Sequence, residues 1–170
     1  VTENWRQSIS AYRKKIGDRL LLVGAIAGTG AAIAIGVMEW MSAEFEYPLA
    51  VIPFATSIAL VIGSPELPAA QPRALIGGHV ISTLVGLVLV KIIGPQPWVA
   101  AVAVGLAVLM MMLTDTFHPP AGIDPLLVVS ANLPWQFLLS PVLVGAVVLT
   151  AFAFVWHRWL WHRHWPERWF

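Results

Sequence analysis

Five stretches of the chain contain no aspartate, glutamate, lysine or arginine: residues 20–38, 47–65, 74–90, 92–114 and 125–157. A helix that crosses a bilayer needs about 20 mostly apolar residues, within a working range of roughly 17–25. Each of the first four runs therefore suits one crossing. The fifth is too long for one straight helix and too short for two full ones. Asn132-Leu133-Pro134 interrupts it, because Pro134 has no amide hydrogen to donate and pushes Leu133 out of the helical region. A short helix over 121–132 followed by a long one over 136–157 is the expected result. Composition agrees with a membrane solvent: 58% of residues are hydrophobic and 11% charged, against roughly 45–50% and about 25% in soluble domains. The expected fold is all-α, a polytopic helical membrane protein of five to six transmembrane segments whose first partner is the lipid bilayer.

The same composition removes several function classes. The chain has no cysteine, so disulfide scaffolds, thiolate metal sites and cysteine nucleophiles are excluded. Net charge is +1 with no long basic run, which gives nucleic acid nothing to bind. His157, His162 and His164 alternate with Trp156, Trp159, Trp161 and Trp165, a pattern that reads as an amphipathic interfacial end rather than a metal tract. No metal and no cofactor are expected.

Three parts follow from the charge pattern: an N-terminal segment 1–19, a membrane domain 20–157 and a Trp/His-rich tail 158–170. In the first, Trp5, Ile9, Tyr12 and Ile16 share one helical face and Arg6, Arg13, Lys14, Lys15 and Arg19 supply positive charge. This reads as a helix lying on the cytoplasmic membrane surface. Positive residues mark the inner side, and the first hairpin carries only Glu39, Glu44 and Glu46. The N-terminus is therefore expected inside, in the cell inner membrane. Arg158, Arg163 and Arg168 ask for an inner C-terminus too, which needs a sixth crossing by the short 121–132 segment and puts Trp40, Trp98 and Trp135 on one outer belt.

Two inner connections are rich in proline. The first reads Ser64-Pro65-Glu66-Leu67-Pro68-Ala69-Ala70-Gln71-Pro72-Arg73, and the second Asp115-Thr116-Phe117-His118-Pro119-Pro120-Ala121-Gly122-Ile123-Asp124-Pro125. A shift of 51 residues lays Pro68 on Pro119 and Ala70 on Ala121. Broken helices at corresponding places in two halves are the best sequence pointer to a transporter's binding site. Irregular backbone is tolerated at membrane depth only inside protein or along a watery cavity, and each loop feeds a helix start with unpaired amides and a positive dipole end. Two such starts facing one cavity would make an anion site. Together with Ile76-Gly77-Gly78-His79, these loops resemble the HPP family of integral membrane proteins, named for the signature seen here at His118-Pro119-Pro120. The likeness covers roughly 45–150 and implies a compact membrane domain and, from some members, nitrite transport.

The candidate substrate contacts are His118, Pro119, Pro120, Ala121, Gly122, Gln71, Arg73, Gly77 and Gly78. Candidates for proton coupling are His118, His79, Asp115 and Glu66; Asp115 either pairs with His118 or serves as an interfacial N-cap, and Glu66 and Arg73 either form a loop ion pair or sit separately at the water interface. His79 falls inside an apolar run, where an ionisable group is a functional hypothesis by default. The leading reading is a transporter or channel for a small inorganic anion, most simply nitrite, working as a homo-oligomer and not as an enzyme. An intramembrane enzyme would need a paired nucleophile and base, and the histidines lie on separate segments without a carboxylate cluster. A membrane sensor or assembly module without transport is the alternative.

Overall fold

The computed structural model of the protein describes residues 20–44 and 51–169; the surface helix expected over 1–19 and the hairpin turn at 45–50 lie outside them. Six α-helices succeed one another: α1 Leu20–Glu44, α2 Val51–Gly63, α3 Pro72–Ile93, α4 Pro97–Leu113, α5 Asp124–Ser130 and α6 Val144–Val155. No strand occurs among the described residues. Three helical stretches, Leu21–Glu44, Pro72–Ile93 and Leu138–Leu160, are long and apolar enough to cross a bilayer alone. The third is α6 extended by wide π turns at Leu138–Leu143 and Trp156–Leu160. Proline and glycine set the ends. Pro72 and Pro97 open α3 and α4, where a missing amide hydrogen costs nothing. Gly94 closes α3 at φ 105°, its amide bonded to the Val90 carbonyl at 2.9 Å.

The sixth pass differs from the expected helix over 121–132. A 3-10 turn, Pro119–Ile123, leads into the seven-residue α5, which spans roughly 10 Å at 1.5 Å per residue. That is far short of a hydrocarbon core about 30 Å thick. The segment nevertheless runs the length of α3. Thr116 and His118 lie against Gly77 and Gly78, Ser82 donates to the Ala121 carbonyl, and Pro125 lies against Gly86. Val128 and Val129 then pack with Leu87, Val90, Val99 and Ala100, joined by Leu133 and Phe137. The long helix expected over 136–157 carries a kink, since Ser140 takes extended backbone angles just before Pro141.

α6 returns along α2, with Phe54 against Gly145 and His157 Nε2 donating to the Val61 carbonyl at 2.9 Å. Trp156, near its end, packs on Gly30 of α1. The six helices of the described residues thus bring the start of α1, the end of α6 and both proline loops to one face. Trp40, Trp98 and Trp135 are all exposed. In a lipid solvent apolar burial drives little helix association, so small residues that allow close approach carry much of the packing. Gly30, Gly78, Gly86 and Gly145 each sit where an added methyl would come within 3 Å of a neighbouring segment.

The tail is not an amphipathic interfacial end. After Leu160 it runs irregularly back over the first loop, with Trp165 fully buried. The amides of Glu167 and Arg168 donate to Gln71 Oε1 at 2.9 and 3.3 Å. A side-chain acceptor on the loop, Gln71 Oε1, absent from any reading of the tail by itself, meets the tail's backbone amides.

Candidate functional site: a buried polar chain where the proline loops meet

Both loops have the same local form. Each passes through a 3-10 turn opened by proline, Pro68–Ala70 in the first and Pro119–Ile123 in the second, and then starts a helix. They touch through His118, whose Nδ1 donates to the Ala69 carbonyl at 2.6 Å. That contact requires α3 and the second loop to lie very close. A β-carbon on Gly78 would stand 2.6 Å from His118 Cβ and 2.9 Å from the Thr116 carbonyl, and one on Gly77 2.6 Å from the Thr116 methyl.

Behind the junction runs a continuous hydrogen-bonded chain of fully buried side chains. Asp124 Oδ2 lies 2.7 Å from His79 Nδ1, His79 Nε2 lies 2.8 Å from Ser57 Oγ, and Ser57 Oγ lies 2.9 Å from His118 Nε2. Thr83 donates to the same Asp124 oxygen at 3.3 Å, while Asp124 Oδ1 is buried with no hydrogen-bond partner. Phe54 covers the His79 ring at 4.6 Å between centroids. The chain draws on α2, α3, α5 and the second loop, so four segments must be in place for it to exist. Buried ionisable groups without such partners are strongly disfavoured.

In front of the junction opens a cavity of about 200 Å³ lined by Glu66, Pro68, Gln71, Arg73, Asp115 and Arg168, among others. The candidates here are heavily engaged. Arg73 donates through Nε to the Asp115 carbonyl at 3.0 Å and through Nη2 to the Thr114 carbonyl at 2.9 Å, capping the C-terminal end of α4. Gln71 donates to the Pro65 and Leu67 carbonyls at 2.7 and 3.3 Å and accepts from the tail. Neither candidate pairing forms. Asp115 faces Arg73 at 3.7 Å instead of His118, because its φ of 54° turns it outward, and Glu66 faces Arg163 of the tail at 3.8 Å instead of Arg73.

Of the sequence candidates, the structure brings His118 and His79 into the chain. Glu66, Gln71, Arg73 and Asp115 stand at the cavity. Pro119, Pro120, Ala121 and Gly122 form the 3-10 turn, and Gly77 and Gly78 form the contact surface of α3. Ser57 and Asp124 were not anticipated; Asp124 supplies His79 with a single carboxylate partner from another segment. A usable signal existed: His79, Ser82, Thr83 and Gly86 recur at spacings of three, four and seven, a polar stripe on an otherwise apolar helix. Ser57, His79 and Asp124 have the spacing of a nucleophilic triad. Ser57, however, is wholly buried and shares its hydroxyl with a second imidazole, and it does not line the cavity in front of the junction. No cluster suited to a metal ion occurs among the described residues.

Residues 19–166 match the family signature for the HPP transmembrane region. The chain belongs to the HPP family. Two transmembrane proteins of Dictyostelium discoideum are 35% and 36% identical to it over 124 residues. The aligned part is 68% of this chain in both cases, and 44% and 40% of those proteins, so this HPP chain spans less than half the length of the curated relatives it matches. No solved structure matches. Membership agrees with the membrane-embedded, multi-helix architecture described above.

Proposed function

We propose that this HPP domain moves a small inorganic anion across the membrane, with nitrite as the substrate to test first. One observation carries the reading: a cavity at the meeting of two proline-broken loops is joined to a buried chain of ionisable groups through His118, which bonds the Ala69 carbonyl next to cavity-lining Pro68. Ionisable side chains held inside a membrane domain mark ion and proton pathways more often than structural sites. Discontinuous passes are where transporters place substrate, and the second loop with α5 is such a pass. Arg73 and Arg168 stand at the cavity among three carboxylates, Glu66, Asp115 and Glu167, so the lining as a whole is formally negative and an anion there would rest on the two guanidinium groups alone, weakly held and readily released. Nitrite itself comes from the family resemblance. The domain would sit in the cell inner membrane with the loop face toward the cytoplasm, as the basic N-terminal and tail residues suggest.

Purified protein in sealed liposomes should take up nitrite saturably, faster with an imposed pH gradient. His118→Ala should abolish that uptake while the protein stays inserted. Uptake no greater than that of empty vesicles would remove the transport reading and leave a sensor or assembly role.

A further inference from the structure

The buried chain has more contacts than a purely structural histidine needs, and counting its hydrogens shows what it can do. The Ala69 carbonyl only accepts, so His118 Nδ1 keeps its hydrogen. Ser57 Oγ lies between the Nε2 atoms of His79 and His118, at 2.8 and 2.9 Å. A hydroxyl has one hydrogen to donate and lone pairs to accept with. When that hydrogen goes to a ring, one imidazole offers an Nε2 hydrogen and the other a lone pair. The one further acceptor near Ser57 is the Pro53 carbonyl at 3.4 Å, a much longer contact than either ring offers.

We infer that Asp124, His79, Ser57 and His118 hold one mobile proton with two resting places, and that its position sets the charge at the loop junction. In the first arrangement His79 Nε2 donates to Ser57 and Ser57 donates to His118. His118 is neutral, and the extra proton lies on His79, against the Asp124 carboxylate. In the second, His118 Nε2 donates to Ser57 and Ser57 donates to His79. His118 now carries both ring hydrogens and the positive charge, and His79 is neutral with its Nδ1 hydrogen still donated to Asp124. Passage from the first to the second breaks the His79 Nε2–H bond and the Ser57 O–H bond and forms a new Ser57 O–H and a His118 Nε2–H. The number of protons is unchanged, and no heavy atom moves.

The inference rests on the transport reading for its consequence. His118 holds the first loop by its backbone at Ala69, next to Pro68 and near Gln71, both of which line the cavity. Charge on His118 strengthens anion binding in that cavity, and charge on the His79–Asp124 pair weakens it. By linkage, a bound anion must then draw the proton toward His118 to the same degree. The groups that face the chain are few. Phe54 and Ser57 come from α2, His79 and Thr83 from α3, and Asp124 from the start of α5. Arg73, Asp115 and Glu66 stand outside it at the cavity.

Nitrogen-15 spectra of histidine-labelled full-length protein in liposomes test this directly. The five histidines are assigned by single His→Asn variants. The fractions of Nε2 protonation on His79 and His118 should add up to one without any anion, and nitrite should shift the split toward His118. Ser57→Thr should preserve that complement, and Ser57→Ala should lose it. Two rings whose fractions vary independently in the unmodified protein would overturn the inference, whatever the variants do. A complement that holds with no response to nitrite would support the proton relay and overturn nitrite as its partner.

Discussion

The two proline loops begin alike and end differently. Each opens a 3-10 turn with proline and leads into a helix, and a shift of 51 residues superposes Pro68 on Pro119. The first loop launches α3, a regular helix of 22 residues. Its polar contacts centre on its own Gln71, which binds the carbonyls of Pro65 and Leu67 and accepts from the tail, while the Ala69 carbonyl takes the hydrogen of His118. The second launches α5, only seven residues long, and its polar groups are met from afar. Ala121 accepts from Ser82, His118 bonds Ala69 and Ser57, and Asp124 bonds His79. A loop tied largely through one of its own side chains is a hinge pin; a loop whose buried groups are satisfied by three other segments is sensitive to all of them. That dependence is what a coupling element needs, because any shift of α2, α3 or the first loop is felt at the same buried atoms.

The contrast breaks most sharply at the acidic residue of each loop. Asp124 is fully buried against His79, whereas the Glu66 side chain is 61% exposed beside Arg163. Removing one partner of a buried pair costs roughly 3–5 kcal/mol, while exposed pairs contribute about 0–1 kcal/mol. Asp124→Ala should therefore sharply lower the thermal midpoint of the detergent-solubilised protein, and Glu66→Ala should barely move it. Equal effects would mean that the second loop is no more dependent on its surroundings than the first.

A smaller effect is expected at Gln71. Its side chain ties the first loop to Glu167 and Arg168 in part-buried contacts, and a typical hydrogen bond contributes about 0.5–1.5 kcal/mol net. Because the affected backbone belongs to the tail, Gln71→Ala should speed protease cleavage between Leu160 and Trp165 several-fold while the membrane core resists. If the tail stays protected, Trp165 rather than Gln71 holds it, and the hinge-pin character of the first loop needs another explanation.

How much of this was legible in the sequence depends on distance along the chain. The helical passes followed from charge-free runs, since lipid leaves a backbone few alternatives. The turns at Pro68 and Pro119 followed from proline's local geometry. What escaped was set by tertiary contact. Asp124 looked like a loop charge because it borders an apolar run, and nothing nearby in sequence reveals that His79, 45 residues away, receives it. Ser57 looked like an ordinary small polar residue in a helix, where serine commonly bonds its own backbone; its role appears only when two histidines from other segments reach it. The tail was misjudged for the same reason, as Gln71 lies 96 residues from Glu167.

The smallest expected effect falls at Gly122, and it bears on where substrate meets the loops. This glycine belongs to the signature motif, and a backbone left bare by glycine is a natural place for an anion to approach. Yet a β-carbon there meets nothing within 4 Å, its φ does not demand glycine, and it does not line the cavity at the first loop. Alanine restricts the unfolded chain more than glycine does, which stabilises compatible sites by about 0.4–1 kcal/mol. Gly122→Ala should thus leave the thermal midpoint unchanged or slightly raised, and leave nitrite uptake within about twofold of the unmodified protein. A clear loss of uptake at unchanged stability would carry the opposite message. Substrate would then touch the second loop itself, on the Gly122 side, and the cavity beside Arg73 would be an antechamber rather than the place where the anion is held.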